Sequence, residues 1–224
     1  MMKGLGHTVY LYAGEENEAD VDELIPCITE TQRRIAVGNR PYVEAPFDYK
    51  LPHWQKFNKK AAAEIRKRAE PRDFVCVIAG GSHQPIALAL PGMMVVEFGV
   101  GYSGVFSNYR VFESYAWMHA VYAQHRDAAT ADGSFFDAVI PGYLDPEMFP
   151  MGKGDGDYYL YVEEFILATQ NVKNLDRQAI RDRAISLYSV DVIAKQYEKY
   201  FHRLETLWGD GWYTEGNNAN TGAK

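Results

Sequence analysis

The segment Val95-Val-Glu-Phe-Gly-Val-Gly-Tyr-Ser-Gly104 carries a G-x-G-x-x-G spacing at Gly99, Gly101 and Gly104. Glycines in such a loop let backbone N–H groups approach a phosphate or a ribose, and a helix that follows adds its positive N-terminal end. Tyr102 stands inside the loop. Glu97 stands just before it, where a carboxylate could hydrogen-bond a hydroxyl or act as a base. Ser82 and His83 close the apolar run 74–79, at the strand end where open α/β sheets bind ligands. Glu97 and His83 are therefore the candidate catalytic groups. Ser82, Gly99, Gly101, Tyr102, Gly104, Arg110 and Glu113 are the candidate substrate-binding residues.

Each of these also has a plain structural reading. The Gly-rich segment could be a turn without a ligand, and His83 a turn residue capping the next helix. Glu97 could be a buried carboxylate satisfied by backbone N–H groups. Arg110 and Glu113 fall one helical turn apart on a predicted helix, which suits an intrahelical ion pair; the alternative is Arg110 facing a phosphate. His119, among Tyr115, Trp117 and Tyr122, reads as a packed core histidine.

The elements that must position these residues follow from periodicity. The β-branched and aromatic run 8–13 reads as a strand, followed by an acidic loop from Glu15 to Glu23 and a weakly helical stretch over 28–36. Trp54, Phe57, Ala61, Ala62 and Ile65 recur at helical spacing and predict an amphipathic helix over 53–70. Residues 74–79 form a fully apolar strand, as in a sheet covered on both faces. A turn, a short helix over 84–90 and a strand over 93–98 come next. A helix is expected over 110–124, a strand over 135–140, a linker over 146–156, a strand over 158–162 and helices to about residue 208. In the last helix Val192, Tyr197, Tyr200, Phe201, Leu204 and Trp208 share one apolar face. Strands alternating with helices predict an α/β fold with a Rossmann-like, mainly parallel sheet that joins the strands 8–13, 74–79, 93–98 and 135–140. The expected organisation is a first domain over 1–150, a linker with C-terminal helices over 151–215, and a disordered tail over 216–224.

The net charge of -7 gives no basic footprint for nucleic acid. The basic group 56–68 shares its helix with Glu64 and reads as a solvated face. Cys27 and Cys76 have no metal-ligand spacing, and Cys76 reads as a small core residue. No apolar run is long enough to cross a bilayer, and the expected compartment is the cytoplasm.

Glu97 before the first glycine resembles the first motif of S-adenosylmethionine-dependent methyltransferases. That reading and a dinucleotide reading both want an acidic residue at the end of the next strand, about 20 residues on. With a helix expected over 110–124, no such strand is predicted.

Several segments in order resemble the retaining, GT-B-type glycosyltransferases, which have two facing Rossmann-like domains. They are Gly4-Leu-Gly-His-Thr-Val-Tyr-Leu-Tyr-Ala13, the turn ending Ser82-His83-Gln84-Pro85, Arg110-Val-Phe-Glu-Ser-Tyr-Ala-Trp-Met-His119, Ala138-Val-Ile-Pro-Gly-Tyr-Leu-Asp-Pro-Glu-Met-Phe149, and the closing helix from Leu187 to Phe201. The resemblance implies the half of such an enzyme that binds the acceptor, with partners a nucleotide sugar and a hydroxyl acceptor, hexose transfer with retention, and no cofactor. The family's donor motifs, G-R-x-x-x-x-K-G and an E-x7-E pair after the strand at Val162, are absent. The expectations are therefore a weak or inactive enzyme alone, or a non-catalytic remnant, and self-association or a partner over the face of His83, Glu97 and Tyr102.

Overall fold

The computed structural model describes residues 1–38, 50–124, 134–148 and 176–208. Six strands and six α-helices are assigned among them: β1 Tyr10–Gly14, β2 Glu23–Ile28, α1 Glu30–Val37, α2 Pro52–Arg68, β3 Phe74–Val77, α3 Gln84–Leu88, β4 Met94–Val100, β5 Tyr109–Phe112, α4 Tyr115–Gln124, β6 Ala138–Val139, α5 Arg177–Tyr188 and α6 Val190–Glu205. The expected linker beyond Met148, the strand over 158–162 and the tail lie outside the described residues.

The fold is α/β with a parallel, Rossmann-like sheet of order β3-β4-β5-β6. Side-chain alternation along the strands gives it two apolar faces. Val75 and Val77 pack with Ala61, Ala62 and Ile65 of α2 and Ile86 of α3, while Phe112 packs with Val121 of α4. On the opposite face Met94, Val96 and Val111 meet Ile193, Tyr197, Tyr200 and Leu204 of α6. The sheet is thus the middle of three layers. The docking of the last helix through Tyr197, Tyr200 and Leu204 agrees with the sequence pattern. Phe201 is half-buried, its ring 4.7 Å from that of Phe74. The helical C-terminal stretch breaks at Ser189, which caps α6.

Local chemistry accounts for the boundaries. Thr29 and Gln32 form a reciprocal capping box at the start of α1. Pro52 opens α2, where its missing N–H costs nothing, and Arg66, Lys67 and Arg68 close it against the helix dipole. Glu64 pairs with Lys67 at 2.6 Å and Arg68 at 2.8 Å, so the basic group is a solvated helix face.

Three expectations about elements are corrected. The strand at 8–13 does not join the main sheet; β1 pairs in parallel with β2, inside a stretch whose acidic approach read as loop. Residues Tyr109–Phe112 are a strand, not the start of a helix, because β-branched Val111 and aromatic Phe112 are fully buried in the sheet between β4 and β6. Cys76 is exposed rather than packed in the core.

Candidate functional site

β3 ends in a single 3-10 turn, Gly80–Ser82, and β4 ends in the Gly-rich loop. The two are joined by a backbone hydrogen bond from Gly81 N–H to the Gly104 carbonyl at 2.9 Å. Gly80 has φ +52°, and a Cβ there would lie 2.9 Å from the Gly104 oxygen and 3.0 Å from the Tyr102 ring. From beneath, the buried Asn58 of α2 donates through Nδ2 to the Ser82 carbonyl at 2.7 Å.

His83 opens α3 as its capping residue, but its side chain makes no cap hydrogen bond. The ring instead stacks on Phe57 with 5.7 Å between centroids and meets Trp54 edge-on at 5.5 Å. Burial in this aromatic box holds the imidazole well below its ordinary range, at about 4, so it is neutral at pH 7.

Glu97 is fully buried. Its Oε2 accepts the Phe106 and Ser107 amides, both at 2.8 Å, so backbone N–H groups satisfy one of its two oxygens. Oε1 has no hydrogen-bond partner. Burial raises the carboxyl's pKa against the two amides and the nearby Arg110 charge. Tyr102 is raised as well, first by burial and then by the Glu97 charge. Glu97 thus braces the loop that leads from β4 to β5.

That loop leads into β5 rather than directly into a helix, which corrects the strand–loop–helix order expected for G-x-G-x-x-G. Glu113 follows β5, and its N–H donates to the Val100 carbonyl at 3.1 Å, which sets it beside Gly101. A Cβ on Gly101 would lie 2.5 Å from Glu113 Oε2 and 3.5 Å from Trp117 Nε1. Tyr197 of α6 lies on the other side of the sheet, its ring 6.0 Å from that of Phe98, and burial, then the Glu113 charge, push its pKa up to about 12. The glycine at 101 therefore makes room for a carboxylate of the chain itself.

Arg110 forms no ion pair with Glu113, correcting the helical pairing. On the strand, it lies across from Glu97 in register. It forks onto Asp137 through Nε at 3.1 Å and Nη2 at 2.8 Å, and the Tyr122 hydroxyl donates to the same carboxylate at 2.6 Å. Residues Val105 to Arg110, Ser134 and Phe136 line a cleft of about 450 Å³ beside this pair. His119 is exposed on α4 rather than packed in the core.

No family model, curated protein or solved structure matches this chain. Among the described residues, no group of three or more His, Cys, Asp or Glu is placed to hold a metal ion. No described helix is long and apolar enough to cross a membrane.

The candidate residues thus separate into two places. Ser82, His83, Gly99, Gly101, Tyr102, Gly104 and Glu113 gather at the C-terminal edge of the sheet, while Arg110 belongs to the Asp137 pair. Glu97 lies between them. Sequence reasoning missed Asn58, Trp117 and Asp137 as polar members of these places. A charged residue inside the apolar run 135–140 was a readable signal for Asp137. An asparagine on the apolar stripe of α2 was the same signal for Asn58.

Proposed function

We propose that this chain is the acceptor-side half of a GT-B-type glycosyltransferase, binding a hydroxyl-bearing acceptor and inactive in transfer without a donor domain. The observation that carries the reading is the return of α6 across the sheet, sealing Met94, Val96 and Val111 with Ile193, Tyr197 and Leu204. The resemblance assigns this place to the family's closing helix. The edge under it presents a carboxylate, a tyrosine and aromatic rings, groups that suit sugar hydroxyls and their apolar faces. Only residues 140–176 separate β6 from α5, too short a stretch for a second nucleotide-binding domain of ~100–150 residues. The relatives' cationic diphosphate clamp has no counterpart in the sequence, and losing one such donor costs ~10²–10³ in rate.

Glu113 favours a second reading. It is an acidic residue directly after the strand that follows the Gly-rich loop, as is the residue that holds a ribose in nucleoside-binding sheets, at a spacing shorter than the usual ~20 residues. Calorimetry with UDP- and GDP-hexoses, methyl hexosides and S-adenosylmethionine separates the two. Methyl hexoside binding without nucleotide-sugar turnover is the expected result. Brisk turnover by the chain alone overturns the first reading, and tight S-adenosylmethionine binding selects the second.

A further inference from the structure

We infer that Gly101, Glu113 and Trp117 form a binding site for the vicinal diol of an uncharged sugar ring. The inference rests on the reading that the C-terminal edge of the sheet is the ligand site, and it names the ligand chemistry which that reading leaves open.

The site is built rather than incidental. The Glu113 backbone is fixed to Val100, the absence of a Cβ at Gly101 admits the carboxylate, and the Trp117 indole nitrogen stands 3.5 Å from where that Cβ would be. Glu113 and Trp117 are both exposed at the surface.

The chemistry of these groups restricts what fits. The carboxylate accepts and the indole N–H donates, so a ligand group must both give and take a hydrogen bond, as a hydroxyl does. Two carboxylate oxygens match two adjacent hydroxyls. A phosphate is disfavoured because the Glu113 carboxylate repels it. An ammonium is disfavoured by the indole N–H, which offers it only another donor. The exposed Trp117 ring suits the apolar side of a sugar ring.

A vicinal diol could come from a nucleoside ribose or from a pyranose, and the test distinguishes them. Amide and indole shifts of the purified chain are followed by nitrogen-15 NMR during titration with adenosine, 2′-deoxyadenosine, methyl α-mannopyranoside and inorganic phosphate. Shifts at Gly99, Gly101 and the Trp117 indole are expected with at least one diol probe and none with phosphate. If ribose is the source, 2′-deoxyadenosine binds about tenfold or more weakly than adenosine, the loss for one hydrogen bond to a charged group. Glu113→Gln weakens the diol probe by a similar factor while leaving the melting temperature unchanged, because Glu113 is exposed. Gly101→Ala displaces the carboxylate and also weakens binding.

Three results overturn the inference: no shift at these residues with any diol up to about 10 mM, equal binding by Glu113→Gln, or phosphate shifting the same signals. Methyl hexoside shifts confined elsewhere would end the inference and leave the acceptor-half reading standing. Brisk nucleotide-sugar turnover with intact diol binding would do the reverse.

Discussion

Replacing Asp137 with alanine removes the partner of a guanidinium that has almost no access to water. The side chains of Arg110 and Asp137 are 14% and 1% exposed, and the fork between them is bidentate. Breaking a buried pair by deleting one partner costs ~3–5 kcal/mol, chiefly because the other charge is left uncompensated. Asp137→Ala also strips the Tyr122 hydroxyl of its acceptor. The expected loss is therefore about 4 kcal/mol, or a fall in melting temperature of roughly 8–16 °C at ~2–4 °C per kcal/mol for a chain of this size. Urea unfolding followed by circular dichroism, run as two double-mutant cycles, separates this arrangement from the helical one the sequence suggested. The Arg110–Asp137 cycle should give a coupling of about 2 kcal/mol or more, and the Arg110–Glu113 cycle less than about 0.5 kcal/mol. The reverse ranking would refute the strand assignment for Tyr109–Phe112 and the site geometry built on it.

Leu204 is fully buried under the sheet, so Leu204→Ala should cost ~2–5 kcal/mol; a change below about 1 kcal/mol in urea unfolding would mean that α6 is not docked. Phe201→Ala, at a half-buried position, should cost a smaller amount of the same sign. Gly80→Ala should destabilise by ~1–2 kcal/mol through its positive φ alone, with the Gly104 carbonyl adding to this; a neutral result would contradict the tight turn. His83 has a folded pKa of about 4 against an ordinary 6.5, so the unfolded chain binds the extra proton between those values. Its contribution is complete above pH 6.5 and is lost as pH falls to 4, up to ~3 kcal/mol. Glu97, with a raised pKa, works in the opposite direction, losing stability as pH rises above its ordinary 4.5. Comparing the pH dependence of stability in wild type and His83→Phe, which keeps the stacked ring, isolates the histidine. Identical profiles would show that His83 titrates normally.

The amphipathic pattern of α2 and the apolar runs of β3 and β4 were legible because burial on one or both faces leaves a periodic trace. The apolar face of α6 was legible for the same reason. The stretch from Arg110 to Gln124 was misread because two short elements abut: a four-residue strand carries too few turns of either period to outweigh the helical run behind it. β2 was hidden by Pro26 and by its acidic approach, features tolerated in a strand of a two-stranded sheet. The gathering of His83, Tyr102 and Gly101 at one edge was legible from the rule that ligands sit beyond parallel strand ends. Glu113 was singled out as a binding residue but assigned a helical position, and its actual place depends on the β5 register. Trp117 comes from a later helix, and no local spacing links it to Gly101.

The main sheet is assembled from neighbours in sequence: Phe74 lies beside Met94, Glu97 beside Arg110 and Val111 beside Ala138. Each new strand can therefore join as it leaves the ribosome, with short loops to close. The layer formed by α6 obeys no such order, for Leu204 follows Val111 by some 90 residues. At ~5–20 residues per second, Met94, Val96 and Val111 wait about 5–20 s during synthesis for their cover. Over that interval one side of a nearly complete sheet is an open apolar surface, so the nascent chain passes through a window in which its last helix competes with neighbouring chains and holdase chaperones for the same strands.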